Sequence, residues 1–295
     1  MQSMSFSILT DTSANLPTAL LREKQIDALP LVYIEDGVEK ACTDTDAFDD
    51  LAYYNNMRAG RRVSTSMINQ DAFEQAMEAH AAAGEDLLYV GISSGISGTI
   101  GAATAAAQAV RARHPERQIE VFDTLGASLG EGLLALAAAQ MRAAGDGLND
   151  VIDSLRILRS RMRQVFMVDD LMHLRRSGRV SHLSAIIGSV LSIKPLLCSD
   201  EAGKIVVWSK CRGRAAAVRA LAEQLFTHIT DALSQTVGIA YAGCKDEAEK
   251  LAAMLREKFA GLKVLSVAYE PVTGAHVGPG ALALFFMGAP DERRR

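Results

Sequence analysis

Short apolar segments alternate with helix-length segments through the first half of this 295-residue chain, and no other feature limits its fold as strongly. The unit is clearest where the apolar run "DLLYVGI" passes through the turn "SSGISGT" into the alanine-rich "IGAATAAAQAVRARH". The run "QIEVFD" follows, then "SLGEGLLALAAAQMRAAG", which Gly145 ends. Strands that alternate with helices of this length pair through crossovers, so the pattern predicts βαβ units and a mostly parallel sheet. Upstream, "FSILTD" reads as a buried strand. Pro17 suits the first turn of a helix over Thr18 to Lys24, and "IDALPLVYI" reads as a second strand. A helix over "FDDLAYYNNMRAG", a polar link "RRVSTS" and a helix from Asn69 to Ala83 come next. Ligands of such sheets collect at the carboxyl ends of the strands, where Asp11, Ser93 to Ser97, and Asp123 all fall.

The second half mixes hairpins with crossovers. "QVFMVDDLMHLRRSGRVSHLSAIIGSVL" reads as strand, short helix, basic turn and helix. "SIKPLLCSDEAGKIVVWSKCRGRAAAVRALAEQL" reads as strand, glycine-containing turn, strand and long helix. "TVGIAYA", "DEAEKLAAMLREKFA", "LKVLSVAYE" and "ALALFFM" add strand, helix, strand and a final strand. The expected fold class is α/β in two domains. Residues 1–160 are read as an N-terminal, mostly parallel three-layer α/β domain, and residues 161–295 as a C-terminal α+β domain with a mixed sheet. The chain is expected to pass from one to the other near Leu158 to Arg163.

Charge and composition remove several classes of function. The formal net charge is -4, and the one basic run is Arg293 to Arg295, so no nucleic-acid partner is expected. The longest apolar runs are far short of the ~20 residues that cross a bilayer, so no stable membrane insertion is expected. The N-terminus lacks the pattern of a secretory signal. Cys42, Cys198, Cys211 and Cys244 have no metal-type spacing, and free thiols fit a reducing cytoplasm. No metal or other cofactor is expected.

Several polar loops could carry a ligand. Gly95 and Gly98 allow a tight turn that Ser93, Ser94, Ser97 and Thr99 surround with hydroxyls. The following helix N-terminus would favour an anion there, although helix capping accounts for the same serines. No lysine completes a phosphate loop, and no nucleophile elbow is present. Ser64, Thr65 and Ser66 in "VSTSM" admit the same two readings. Asp11 lacks a second carboxylate nearby in sequence and reads as a turn or cap. Arg175, Arg176 and Arg179 surround Gly178 in a basic turn. In "KCRGR", cations precede a long helix, where they are locally unfavourable, so for Arg212 an external anionic contact stands as one reading beside that of a solvated charge. His276 stands in a glycine-rich loop, with Gly274, Gly278 and Gly280 allowing close backbone approach. Taken alone, these patterns name no ligand.

Eight segments in order, "ILTDTSANLP", "STS", "ISSGISGT", "VFDTLGASLGEG", "LMHLRRSGRVS", "LSIKPLL" with "GKI", "KCRGRAAA" and "AHVGPGAL", carry a family resemblance over essentially the whole chain. The chain resembles the DegV family of bacterial fatty-acid-binding proteins. The resemblance implies an elongated lipid tunnel between or beneath two domains. It implies a carboxylate held by Thr65 and Ser94, with Ser93 and the Gly95 amide as neighbours. It places the family's arginine on Arg212 and its loop histidine on His276, near the headgroup or a partner surface. Some members present the bound acid to a separate fatty acid kinase, which owns the ATP site. One departure is visible: the family often reads "TSQPS" where this chain reads "TSMIN", with Met67, Ile68 and Asn69 replacing Gln, Pro and Ser.

The expected function is therefore binding of a long-chain fatty acid in an apolar tunnel, without catalytic residues. About 0.8 kcal/mol per buried methylene is an adequate driving force, provided the headgroup keeps hydrogen-bonding partners. The alternative is a small-molecule enzyme acting on a phosphorylated or carboxylated substrate, which would turn over without a second protein.

Overall fold

The computed structural model describes residues 6–180 and 193–289. The first sheet is built from β1 (Phe6–Asp11), β2 (Ile26–Leu29), β6 (Asp86–Gly91) and β7 (Ile119–Asp123). These strands run parallel in the order β2-β1-β6-β7. Every residue of β6 is buried, as a central parallel strand covered on both faces requires, and its sequence is continuously apolar after Asp86. Helices α3 (Gln70–Ala82) and α4 (Thr99–Arg113) pack as a pair on one face. Asn69 caps α3 by accepting from the Ala72 amide at 2.9 Å. The other face carries α5 (Leu129–Ala144), which in turn packs on α6 (Leu148–Arg161). From β1 the chain moves to one side for β2 and returns to the other side for β6. The topological switch point therefore lies between the ends of β1 and β6.

The second sheet contains β8 (Met162–Met167), β9 (Ile193–Ser199), β10 (Ile205–Arg212), β11 (Thr236–Tyr241), β12 (Lys263–Ala268) and β13 (Leu282–Met287). Their order is β10-β9-β8-β13-β11-β12, antiparallel throughout except for the parallel β11–β12 pair. Helices α8 (Arg214–His228) and α9 (Lys245–Lys258) pack against this sheet. Helix α5 contacts strands of both sheets. A side chain at Gly238 on β11 would meet Leu129 at 2.9 Å, so glycine allows α5 to sit directly on the second sheet. This double burial explains why "LGEGLLALAAA" is apolar on all sides, with a single charged residue among them. The architecture is thus two-domain α/β, an N-terminal parallel-sheet domain followed by a C-terminal mixed-sheet domain.

Three local readings need correction. The link "RRVSTS" contains a strand, β5 (Val63–Ser66), which joins β3 (Val32–Glu35) and β4 (Val38–Ala41) in a small antiparallel sheet ordered β4-β3-β5. Its alternating half-buried and exposed residues are the period of an edge strand, which the run of hydroxyls obscured. "IDALPLVYI" is two strands rather than one, because Pro30 lies between β2 and β3 and offers no amide to a ladder. Helix α6 is an additional element whose buried residues Leu148, Val151, Ile152 and Leu155 follow a helical period. The helix expected over "SHLSAIIGSVL" lies outside the described residues. Among those that are described, no helix is long and apolar enough to cross a membrane.

Candidate ligand site at the carboxyl edge of the parallel sheet

A cavity of about 700 Å³ opens between the carboxyl edge of the first sheet and the face of the second. Segments following β1, β6 and β7 contribute Ser13, Ser94 to Gly98, and Gly126 to Ser128 to its wall. Strand β5 contributes Thr65 and Ser66, and the second sheet contributes Gln164, Phe166 and Phe285. Met67 stands at the rim with 51% of its surface exposed.

Thr65 pairs with Tyr33 across β3 and β5, and its Oγ1 lies 2.8 Å from Nε2 of His276. His276 is not in a loop: it lies in the last turn of α10 (Pro271–Val277). The glycine content of the segment suggested a loop, but Pro271 opens a helix whose first amides find an acceptor in Glu270. Its Oε2 accepts from the Val272 amide at 2.6 Å and its Oε1 from the Thr273 amide at 2.5 Å. The helix is anchored to the N-terminal half by Asn15, whose Oδ1 accepts from the Glu270 amide at 2.6 Å. Tyr53 donates its hydroxyl to the Pro271 carbonyl at 2.7 Å, and Gly274 leaves room for the Tyr54 hydroxyl. Burial, reinforced by Arg179 and His173, pushes the His276 imidazole down to about 4. It is therefore neutral near pH 7. When Nε2 carries the proton, it donates to Thr65 Oγ1, and the Thr65 hydroxyl is left to donate into the cavity.

The turn after β6 divides its hydroxyls between two tasks. Ser93 is fully buried, donates to the Gly203 carbonyl at 2.9 Å and accepts from the Gly95 amide at 3.0 Å. Ser93 thus fastens the β9–β10 hairpin to the first domain, and the Gly95 amide holds its hydroxyl in place. A side chain at Gly95 would collide with the backbone of Ala202 and Gly203, so only glycine fits this joint. Ser94 is exposed, donates its amide to Asp123 Oδ1 at 3.2 Å, and keeps a hydroxyl with no hydrogen bond among the described residues. Thr65, Ser94, Gly95 and His276 line one cavity, and Ser93 lies behind its wall. Arg212 lies elsewhere, exposed at the end of β10 opposite Ile193. Among the described residues, Arg179 and Lys204 are the Arg and Lys side chains that line the cavity.

Behind Ser13 lies a buried acidic cluster that the sequence did not reveal. Asp11 and Glu131 are both 0% exposed. Asp11 accepts from the Ser13 amide at 2.9 Å, from the Ser13 hydroxyl, and from the Tyr89 hydroxyl at 2.5 Å. The Ser13 hydroxyl also meets Glu131 Oε2 at 2.9 Å. The Thr10 hydroxyl faces both the Val90 carbonyl at 2.8 Å and Glu131 Oε1 at 3.1 Å. Each hydroxyl carries one hydrogen, so Ser13 and Thr10 cannot donate in both directions. A proton on Glu131 resolves one of these conflicts. Burial, with Asp11 as a like-charged neighbour, raises the Glu131 carboxyl well above its ordinary range. Asp11 is also raised, again by burial first. A glutamate inside an otherwise apolar helix was the available signal.

This cluster has a pH signature. The folded chain retains a proton that unfolded Glu131 releases above about pH 4.5, so this stability is full below that pH and is lost as pH rises toward the folded value. His276 has the opposite sign, and its contribution grows between about 4 and 6.5 and is constant above. Urea unfolding of wild type and Glu131→Gln from about pH 5 to 9 separates the two, because the His276 contribution is common to both proteins. Wild-type stability is expected to fall across that range more steeply than that of Glu131→Gln, whose amide can still donate to Ser13. Parallel curves would mean that the folded protein does not hold this proton.

A two-sheet α/β scaffold with a mixed polar and apolar cavity at its switch point defines a small-molecule-binding protein of the doubly wound type. The chain belongs to the DegV family: the family model, described as an uncharacterised protein family of that name, matches residues 5–289. A DegV domain-containing protein of Clostridium perfringens is 35% identical over 287 residues, covering 97% of this chain and 99% of that one. The crystal structure of Bacillus subtilis DegV, described as a fatty acid binding protein, is 29% identical with a TM-score of 0.83 and covers 97% and 100% of the two chains. That of a fatty acid binding DegV family protein from Streptococcus agalactiae is 27% identical, also at 0.83, and covers 97% and 99%.

Proposed function

We propose that this protein binds a long-chain fatty acid, with the carboxylate on Thr65 and Ser94 and the acyl chain along the apolar part of the cavity. The observation that carries the reading is the convergence of Thr65 and Ser94 on one cavity whose walls include Phe166, Phe285, Leu174 and Val277. With its proton on Nε2, the neutral His276 turns the Thr65 hydroxyl toward the acceptor, and Arg179 adds positive charge to the same wall. The buried Asp11 behind Ser13 disfavours a carboxylate at that end, which supports placing the headgroup at Thr65 and the tail inward. Relatives described as fatty acid binding proteins share the fold at 27% and 29% identity. Native mass spectrometry after gentle purification is expected to show a bound mass of a C14 to C18 acid. A clean apo mass with no uptake of added acid would remove the proposal. The isolated protein is expected to hydrolyse neither ATP nor acyl esters, whereas turnover lost on mutating Ser94 would favour the enzyme reading.

The headgroup position near the exposed Ser94 also suits presentation to a separate fatty acid kinase. Arg212, exposed and outside the cavity, is then a partner contact rather than a ligand contact. Arg212→Ala is expected to keep palmitate affinity within about twofold, since it removes no buried contact. It should slow kinase-coupled phosphorylation by about tenfold, the effect of losing one well-placed charged hydrogen bond at an interface. Unchanged phosphorylation in a host that has the kinase would end this assignment.

A further inference from the structure

A polar side chain stands among the aromatic residues of the cavity wall. Gln164 on β8 shares a face with Phe166, two residues on, and lies directly opposite Phe285 on β13. All three line the cavity. Strand β8 runs toward the proposed headgroup end. Beyond its C-terminal end comes α7 (Leu171–Arg176), whose His173 donates from Nε2 to the carbonyl of Ala275, the neighbour of His276, at 2.7 Å. At ~3.4 Å per residue, Gln164 sits roughly 7 Å farther from that end than Phe166. Its side chain is clamped in place. Oε1 accepts from the Ala127 amide at 3.1 Å and Nε2 donates to the Leu125 carbonyl at 3.3 Å, so the amide bridges from β8 to the segment between β7 and α5. Two glycines make room for it. A Cβ at Gly126 would meet Nε2 at 2.7 Å, and a Cβ at Gly130 would collide with Oε1 and Cδ. Gln164 thus fills the gap between the second sheet and the start of α5, beside the space that Phe166 and Phe285 enclose.

We infer that Gln164 ends the acyl compartment and so sets the chain length that this protein prefers. This rests on the fatty-acid reading above and names the residue that limits it. A chain that grew past this point would have to displace the Gln164 amide and leave the Ala127 N–H without its acceptor. Breaking those two buried hydrogen bonds costs more than one further methylene returns. A shorter side chain at position 164 removes the obstacle and frees room for about two methylenes, continuous with the cavity that Gln164 lines.

The test is titration of saturated acids from C10 to C20, in steps of two carbons, on wild type, Gln164→Ala and Gln164→Thr, with circular dichroism as the control for folding. Threonine suits a strand and alanine is the smaller, so the two shorten the side chain in different ways. In wild type, affinity should rise with length and then level off. In both variants the plateau should begin about two carbons later. The first acid beyond the wild-type plateau should gain about five- to tenfold, the return on two methylenes less the cost of ordering them. C10 should keep its wild-type affinity within about twofold, because it does not reach position 164. A second measurement needs no variant. In crystals of wild type with the acid that begins the plateau, brominated on its last carbon, the anomalous bromine peak should lie in van der Waals contact with the Gln164 side chain. Three outcomes overturn the inference. The plateau stays where it was in the folded variants, or the bromine lies away from Gln164, and either result puts the end of the compartment elsewhere. All acids lose affinity equally, C10 included, which makes Gln164 a support of the joint between the sheets and not the end of the tail. These results leave the fatty-acid reading standing, which falls only if no acid binds wild type.

Discussion

Thr65→Val combined with Ser94→Ala is expected to weaken palmitate binding by about a hundredfold while leaving the fold intact. A hydrogen bond to a charged group is worth roughly 1.5–3 kcal/mol, and two are removed, although they share one carboxylate and will not add fully. About 3 kcal/mol corresponds to that factor. Valine keeps the strand character of β5, and Ser94 is exposed, so neither change disturbs the core. The Thr65 change also leaves His276 Nε2 without its partner at 2.8 Å, which makes it the costlier of the two single substitutions. Isothermal titration on the singles and the double separates the shared carboxylate from independent effects. A double variant with wild-type affinity would place the headgroup elsewhere.

Lengthening the ligand is expected to have the larger effect. From C8 to C12, four methylenes at about 0.8 kcal/mol each give roughly 3 kcal/mol, about two hundredfold in affinity before the cost of ordering the chain. The rise should end at the length that fills the cavity. Titrations with C8, C12, C16 and C20 acids read this directly. Equal affinity across the series would mean that the apolar wall does not hold the tail.

Much of the scaffold was legible because it follows from local patterns. The buried parallel strands read as continuous apolar runs, and α3, α4, α5, α8 and α9 follow from period and end signals at Asn69 and Gly145. What failed was local ambiguity. Ser64 to Ser66 carry hydroxyls that serve a cap and an edge strand equally well, and the pairing of β5 with β3 decides between them. The glycines around His276 imitate a loop, whereas Glu270 and Pro271 start a helix. Ser93 and Ser94 are adjacent and chemically alike, yet one fastens a hairpin and the other faces the cavity.

The sequence by itself determined that strand ends carrying Asp11, Ser93 to Ser97, and Asp123 would lie along one edge of a parallel sheet, because βαβ crossovers put every strand's carboxyl end on the same side. Only the tertiary structure decided which distant groups meet there. His276 reaches Thr65 across 211 residues and Glu131 reaches Ser13 across 118, while Arg212, with an equally suggestive local setting, lies outside the cavity. The physical reason is that capping, period and turn chemistry act over a few residues. The raised Glu131 carboxyl and the neutrality of His276 arise from burial, and burial exists only once two sheets have closed on α5.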